Sequence, residues 1–233
     1  MLQIARILDD GKAVRLASVS DTRNTRERLI KATMRVIEKE GESGVRIRDI
    51  CKATNTTAPS IYNFFGDRLG LIRAAQASRY RLPLQNAHQD FAEAVYLCKS
   101  KADFTKIVHQ TLDQIYSEKR KPIRSTRANV LGNAQSDRLL AKEIAGMHDY
   151  INKVFAEPIR YAQAKKWIDG DFNPQMFYSW LVGTVNGRVL IDLDGTHPEC
   201  DDWDFISKRA VCRLLGIDEP KPTKKPRRNR TTK

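Results

Sequence analysis

Residues 45–71, Val-Arg-Ile-Arg-Asp-Ile-Cys-Lys-Ala-Thr-Asn-Thr-Thr-Ala-Pro-Ser-Ile-Tyr-Asn-Phe-Phe-Gly-Asp-Arg-Leu-Gly-Leu, decide the fold. Ile47, Ile50, Cys51 and Thr54 recur at three- and four-residue spacing, which places them on one face of a short amphipathic helix. Asn55, Thr56 and Thr57 end that pattern with turn and cap residues. Thr57 is predicted to accept a hydrogen bond from a free amide of the next helix, and Pro59 is tolerated because it falls in that helix's first turn. The second helix is predicted from about Ala58 to Phe65, with Ile61 and Phe65 facing inward. Two short helices joined by so tight a turn make a helix-turn-helix, a unit that sets the start of its second helix in the major groove of DNA.

The run Ser60-Ile61-Tyr62-Asn63-Phe64-Phe65, followed by Asp67, Arg68 and Leu71 and preceded by an amphipathic helix ending at Gly41, resembles the TetR family of transcriptional regulators. That family's pattern reads small residue, apolar, Tyr, variable, His, Phe, variable, Asp or Ser, Lys, Glu, variable, Leu. The motif covers residues 25–72; beyond it only the order and length of the helices are similar. The resemblance implies an all-α fold, with an N-terminal three-helix DNA-binding domain and a larger C-terminal helical domain that binds an effector and dimerises. The boundaries expected are a flexible leader over 1–22, the helix-turn-helix domain over 23–68, the ligand-binding and dimerisation domain over 69–217, and a basic disordered tail over 218–233.

Carried over residue by residue, the resemblance gives Tyr62 a phosphate contact through its hydroxyl. Arg68 stands where the family has Lys, and a guanidinium binds phosphate at least as well. Arg46 replaces a Thr that caps the second helix, so the phosphate contact is retained and the cap is lost. Thr57, Ala58 and Asn63 face base edges, with Pro59 in the same first turn; Asn63 has the donor and acceptor pair that suits adenine, and the Ala58 methyl suits a thymine methyl. Phe64 in place of His and Leu69 in place of Glu depart from the pattern, and the His contact is not carried over.

Charge supports this reading. The formal net charge is +13, which favours polyanionic partners. Residues 1–68 hold +4 and the last fifteen residues +6, leaving only +3 over the 150 between. A nearly neutral middle between two basic ends suits a DNA reader with a separate sensing domain. In the leader, Arg15 and Arg23 would add phosphate contacts, as N-terminal arms do.

The rest of the chain reads as helices. Asn24 and Glu27 form a capping pair for a first helix that runs to Glu40, with Leu29, Ala32, Thr33, Val36 and Ile37 inward and Gly41 as a left-handed stop. A long helix from Asp67 to residue 97 is interrupted at Pro83, which removes one backbone hydrogen bond. Further helices are predicted over 102–118, from Pro122 through Leu131, and over 137–167 with Ser136 as cap and a bend at Pro158. Asn173 and Pro174 start a helix to about Leu193, and another runs from Asp201 to Leu215. The stripe Trp180, Gly183, Thr184, Gly187, Leu190 and the stripe Trp203, Ile206, Ala210, Leu214 would form a four-helix interface across a two-fold axis. His109, Leu112, Met147, Ile151 and Trp180 are the expected ligand-pocket residues.

No catalytic or metal-binding pattern appears. There is no phosphate-cradling glycine loop, no Gly-x-Ser-x-Gly and no His-Glu-x-x-His, and His88, His109, His148 and His197 are scattered. Cys51, Cys98, Cys200 and Cys212 read as free thiols in a reducing cytoplasm, and Asp201, Asp202 and Asp204 as residues suited to a helix dipole. The absence of a signal peptide and of any ~20-residue apolar run argues against membrane insertion. The expectation is a cytoplasmic, homodimeric repressor of double-stranded operator DNA, released by a small-molecule effector, with no cofactor and no enzyme activity. A ligand-independent DNA-organising or partner-binding protein on the same scaffold is the alternative, followed by an all-helical enzyme.

Overall fold

The computed structural model describes residues 23–84, 87–193 and 200–219. Every regular element among them is helical. The chain divides into two units: residues 1–82 with 133–144, and residues 83–132 with 145–233.

The first unit holds α1 (helical over 23–40), α2 (Ile47–Thr54), α3 (Ala58–Phe65) and α4 (Arg68–Arg81). Its core is Leu29, Ile37, Val45, Ile50, Ile61, Leu71, Ile72 and Ala75, which apart from Val45, in the connection before α2, are positions that helical spacing selects. Gly41 ends α1 at φ 72°, a conformation open to glycine without a Cβ penalty. The turn between α2 and α3 is made by Asn55 in the left-handed region, and its neighbour's amide, Thr56 N–H, donates to Cys51 O. Thr57 sits at the start of α3 but makes no capping bond; its hydroxyl meets Ser60 Oγ at 3.1 Å instead. Asp67 does cap α4, accepting from Gly70 N–H at 2.6 Å. Gly70 is sterically required: a Cβ there would lie 1.9 Å from Phe65 O.

The contact boundary differs from the expected one. Helix α4 belongs with the first unit, because Leu71, Ile72 and Ala75 complete its core. The segment 133–144 also returns to this unit, through Asn133 and Asp137. Glu42 Oε1 accepts from both Gln76 Nε2 at 2.5 Å and Asn133 Nδ2 at 2.8 Å, while Arg73 Nε donates to Asp137 at 2.7 Å.

The remaining helices are α5 (Ala87–Leu97), α6 (Lys101–Tyr116), α7 (Lys121–Ala134), α8 (Arg138–Ala164), α9 (Pro174–Gly187), α10 (Val189–Asp192) and α11 (Cys200–Leu215). As Pro83 predicts, the helix beginning at Arg68 stops at Arg81, and a 3-10 turn spans Leu82–Leu84. Helix α8 continues through Pro158. Its cap is Asp137, which accepts from Leu139 and Leu140 N–H, rather than Ser136. It ends three residues earlier than expected because Lys166 turns left-handed at φ 57°, which carries Ile168 into the core. Asn173 caps α9 as expected, accepting from Gln175 and Met176 N–H. Helix α9 stops at Gly187, not Leu193, where the Arg188 side chain enters a buried ionic cluster.

That cluster was not foreseen. Arg124 and Arg188 are each 1% exposed, and Asp192 lies between them. Arg124 donates to Asp192 through Nε at 2.6 Å and Nη2 at 3.0 Å. Arg188 donates to Asp192, to Asp204 at 2.6 Å and to Glu118 at 2.9 Å. The cluster ties α7, α10, α11 and the 3-10 turn Glu118–Arg120 together. Of the expected basic tail, Glu219 accepts from Arg209 and Arg213 at 2.5 Å. Residues 220–233 and the leader 1–22, with Arg15, lie outside the described residues.

Candidate nucleic-acid interface and ligand cavity

Helix α3 presents two different faces. Ile61 is 0% exposed and anchors it against α2 and α4, with Phe64 and Phe65 packed partly on the same core. Thr57, Pro59, Tyr62 and Asn63 are exposed, Tyr62 by 50%, and Ala58 is half-buried. The solvent face of the second helix thus carries a phenol, an amide and a hydroxyl, which are groups suited to phosphate and base-edge contacts. Arg46, at the cap position of α2, makes no side-chain cap bond and is exposed. Arg48 and Lys52, also exposed on α2, add positive charge that motif reading left out. Arg26 packs its guanidinium 5.3 Å from the Phe65 ring centroid, which holds one cation of α1 beside the end of α3.

Arg68 has a different place from the one expected. Its Nε donates to Val45 O at 2.7 Å and its Nη2 to Glu42 O at 2.6 Å. The guanidinium therefore clamps the 41–46 connection, and two of its three nitrogens face inward. The motif identifies a cation here, but only the folded chain shows which carbonyls it reaches.

A cavity of about 280 Å³ lies within the second unit. Its walls come from α5, α6, Arg120, α7, α8 and α9. Phe91, Ile107, Phe155, Leu181, Val182 and Val185 make it largely apolar. Polar groups at its wall are Asp90, Gln110, Thr111, Gln114, Arg120, Arg127, Tyr178 and Asn186. None of the expected pocket residues lines it. Leu112 is buried in the core, Ile151 packs partly on it, and Met147 is half-buried. Trp180 faces outward, and His109 bonds through Nε2 to Asp218 O at 2.8 Å. Helical spacing marks inward positions but does not separate those that meet another side chain from those that meet a void.

The two stripes proposed for subunit contact divide as well. Trp180, Gly183, Leu190, Ile206, Ala210 and Leu214 are exposed, Leu190 by 72% and Ile206 by 66%. Thr184 is engaged inside the chain, sharing a 2.8 Å hydrogen bond with Tyr116 Oη, and Gly187 lies under the Trp203 ring. His148, half-buried, bonds to Ser179 Oγ at 3.2 Å; burial, with the positive charge of Arg127, holds its pKa below the ordinary histidine value. Burial pushes the Cys212 thiol up to about 11, so it is inert at neutral pH. Among the described residues no group of three or more His, Cys, Asp or Glu is arranged to hold a metal, and no helix is long and apolar enough to cross a membrane.

Among the described residues every regular element is helical, and the N-terminal unit packs a helix-turn-helix whose second helix is open to solvent, the arrangement that helix-turn-helix DNA-binding domains use. Residues 29–75 match the profile described as "Bacterial regulatory proteins, tetR family". The chain is similar to the HTH-type transcriptional regulator UidR of Escherichia coli K12, at 22% identity over 182 residues, 75% of this chain and 84% of that protein. Its fold is similar to that of a putative TetR-family regulator from a Rhodococcus species (20% identity, TM-score 0.59, 82% and 98% of the two chains). It is also similar to Salmonella enterica GusR (17% identity, TM-score 0.61, 83% and 96%). The family match covers the helix-turn-helix unit, and the likeness to these solved structures shows a shared fold over most of the chain.

Proposed function

We propose that this protein is a homodimeric, operator-specific repressor that leaves DNA when a small molecule fills the cavity of the second unit. The observation that carries the reading is the two-faced α3: Ile61 fully buried, with Thr57, Pro59, Tyr62 and Asn63 open to solvent. Arg46, Arg48 and Lys52 supply sequence-independent phosphate contacts, and Tyr62 adds one through its hydroxyl. Asn63, Thr57 and Ala58 read bases. Two subunits related by a two-fold axis would place two such helices in major grooves of a pseudo-palindromic site.

The exposed apolar side chains of α9 and α11 support pairing. Trp180, Leu190, Ile206 and Leu214 are large, apolar and open to water, an arrangement that a second copy would cover. Trp203 against Gly187, and the Arg188–Asp204 ion pair, hold α9 and α11 side by side, so the two helices would form one surface. The cavity favours a ligand-responsive regulator over a ligand-independent DNA organiser. Its ligand shifts DNA affinity only by binding the operator-bound and free states unequally.

The test is selection of bound duplexes from a random pool, followed by titration of the selected site by fluorescence anisotropy. A palindromic consensus bound as a dimer supports the reading. Enrichment of no sequence sinks it. Ile206→Glu should yield a monomer in sedimentation analysis with sharply weakened operator binding, and an operator–reporter fusion separates repression from activation.

A further inference from the structure

The side chains around the cavity define the class of ligand it takes, and this step rests on reading that cavity as the effector site. Its inner wall is apolar: Phe91, Phe155 and Leu181 are buried, and the Phe91 and Phe155 rings stack with centroids 5.1 Å apart. A volume of about 280 Å³ sits at the small end of ligand-binding cavities, so the body that fills it is compact. The charged groups at the wall leave no buried counter-charge for a ligand. Arg127 is buried and already engaged within the chain. Asp90 is exposed, where solvent damps its field, and half-buried Arg120 brings the opposite sign to the same wall. A ligand with a full charge would lose its hydration on entry and gain no buried partner in return.

Hydrogen bonding narrows the class. Gln110 and Gln114 are exposed and satisfied by solvent, while Thr111 gives its hydroxyl proton to Ile107 O at 2.9 Å. Tyr178 is engaged within the chain. Asn186 on α9 differs: its Oδ1 is buried and has no hydrogen-bond partner. Such an acceptor costs free energy until a donor meets it, and the amide can swing toward a ligand without breaking a bond at that atom. From these observations we propose that the cavity takes a small uncharged alcohol. Its hydroxyl donates to Asn186 Oδ1, and its compact apolar body lies against Phe91, Phe155 and Leu181.

The experiment uses the full chain and matched probes that differ in one functional group. Benzyl alcohol, cyclohexylmethanol and 1-hexanol are each compared with the corresponding carboxylate, amine and methyl ether, by thermal shift and by calorimetric titration up to millimolar concentration. The expected result is that at least one alcohol binds about tenfold more tightly than its carboxylate and its amine, and about fivefold more tightly than its ether. Asn186→Ala should erase the gap between alcohol and ether. Ala94→Phe, which puts a ring at the cavity wall, should abolish binding. Should either variant fail to fold, the gaps in the wild-type protein still decide the matter. A carboxylate, amine or ether that binds as tightly as its alcohol would overturn the proposal, and the effector reading stands if Ala94→Phe abolishes that binding. If no probe binds, or if Ala94→Phe leaves binding intact, the proposal and the effector reading fall together, whereas the operator reading, tested by DNA selection, does not.

Discussion

The first unit turns its polar chemistry outward, and the second folds part of it inward. In the first, Tyr62, Asn63, Arg46, Arg48 and Lys52 stand in solvent above a small apolar core. In the second, Arg124, Arg188 and Asp192 are buried in a cluster, and Arg127 is buried at the wall of a cavity. Outward groups contribute little to stability and remain free to bind a partner. Inward ones, once buried, must be matched, so they fix the arrangement of the helices that carry them. One unit is built to display and the other to hold a shape.

That contrast breaks most sharply at Asp192. Asp192→Ala leaves the buried Arg124 guanidinium without its carboxylate and takes one of three from Arg188, and is expected to destabilise the chain by about 3–5 kcal/mol, measured by urea unfolding. The same residue sets a pH dependence. Burial pushes its carboxyl up, but the hydrogen bond and charge of Arg124, with the charge of Arg188, hold it below the ordinary carboxylate value. A depressed folded-state value gives stability that is complete above the unfolded value of about 3.9 and is lost as pH falls through the folded one. The gap between wild type and Asp192→Asn should therefore be flat near neutrality and shrink below about pH 4.

Ile61→Ala tests the opposite design, a displayed helix held by one anchor. It should cost about 2–5 kcal/mol of stability in the same assay, and operator affinity should fall with it. An unchanged melting profile would show that α3 is held in some other way. Arg68→Ala separates a clamp from a phosphate contact. With its bonds to Val45 O and Glu42 O lost, stability should drop by about 1–3 kcal/mol, while the slope of DNA affinity against salt stays near the wild-type value. A flatter slope with unchanged stability would return Arg68 to the DNA backbone. Asn63→Ala should change stability least, within about 0.5 kcal/mol, and relax sequence preference at one position by about 1–3 kcal/mol of discrimination. Equal weakening on all sequences would remove Asn63 from base reading.

The helix-turn-helix was legible because its information is local. Ile47, Ile50, Thr54 and Ile61 lie within fifteen residues, and one helical period sorts inward from outward. Capping was legible at Asn173, where an Asn preceded a helix opened by Pro174, and misread at Thr57 and Ser136. A hydroxyl has other partners within reach, and Asp137 stood one residue closer to the start of α8. The cavity was not legible. Its wall draws residues from five helices and a turn, and whether Leu112 or Gln114 meets the void depends on how those helices rotate against one another. The ionic cluster was missed for a related reason: Arg124 and Asp192 stand 68 residues apart, and charged residues in sequence read as solvated.

By itself, the sequence determined that this chain is helical and that residues 45–71 form a helix-turn-helix, because spacing of a few residues and turn chemistry act over one or two helical turns. Tertiary structure alone decided that Arg68 faces inward, that α4 and residues 133–144 belong with the helix-turn-helix unit, and that Arg127 stands beside an apolar void. Those outcomes depend on long-range packing, in which the surroundings of each side chain are supplied by helices distant in the chain.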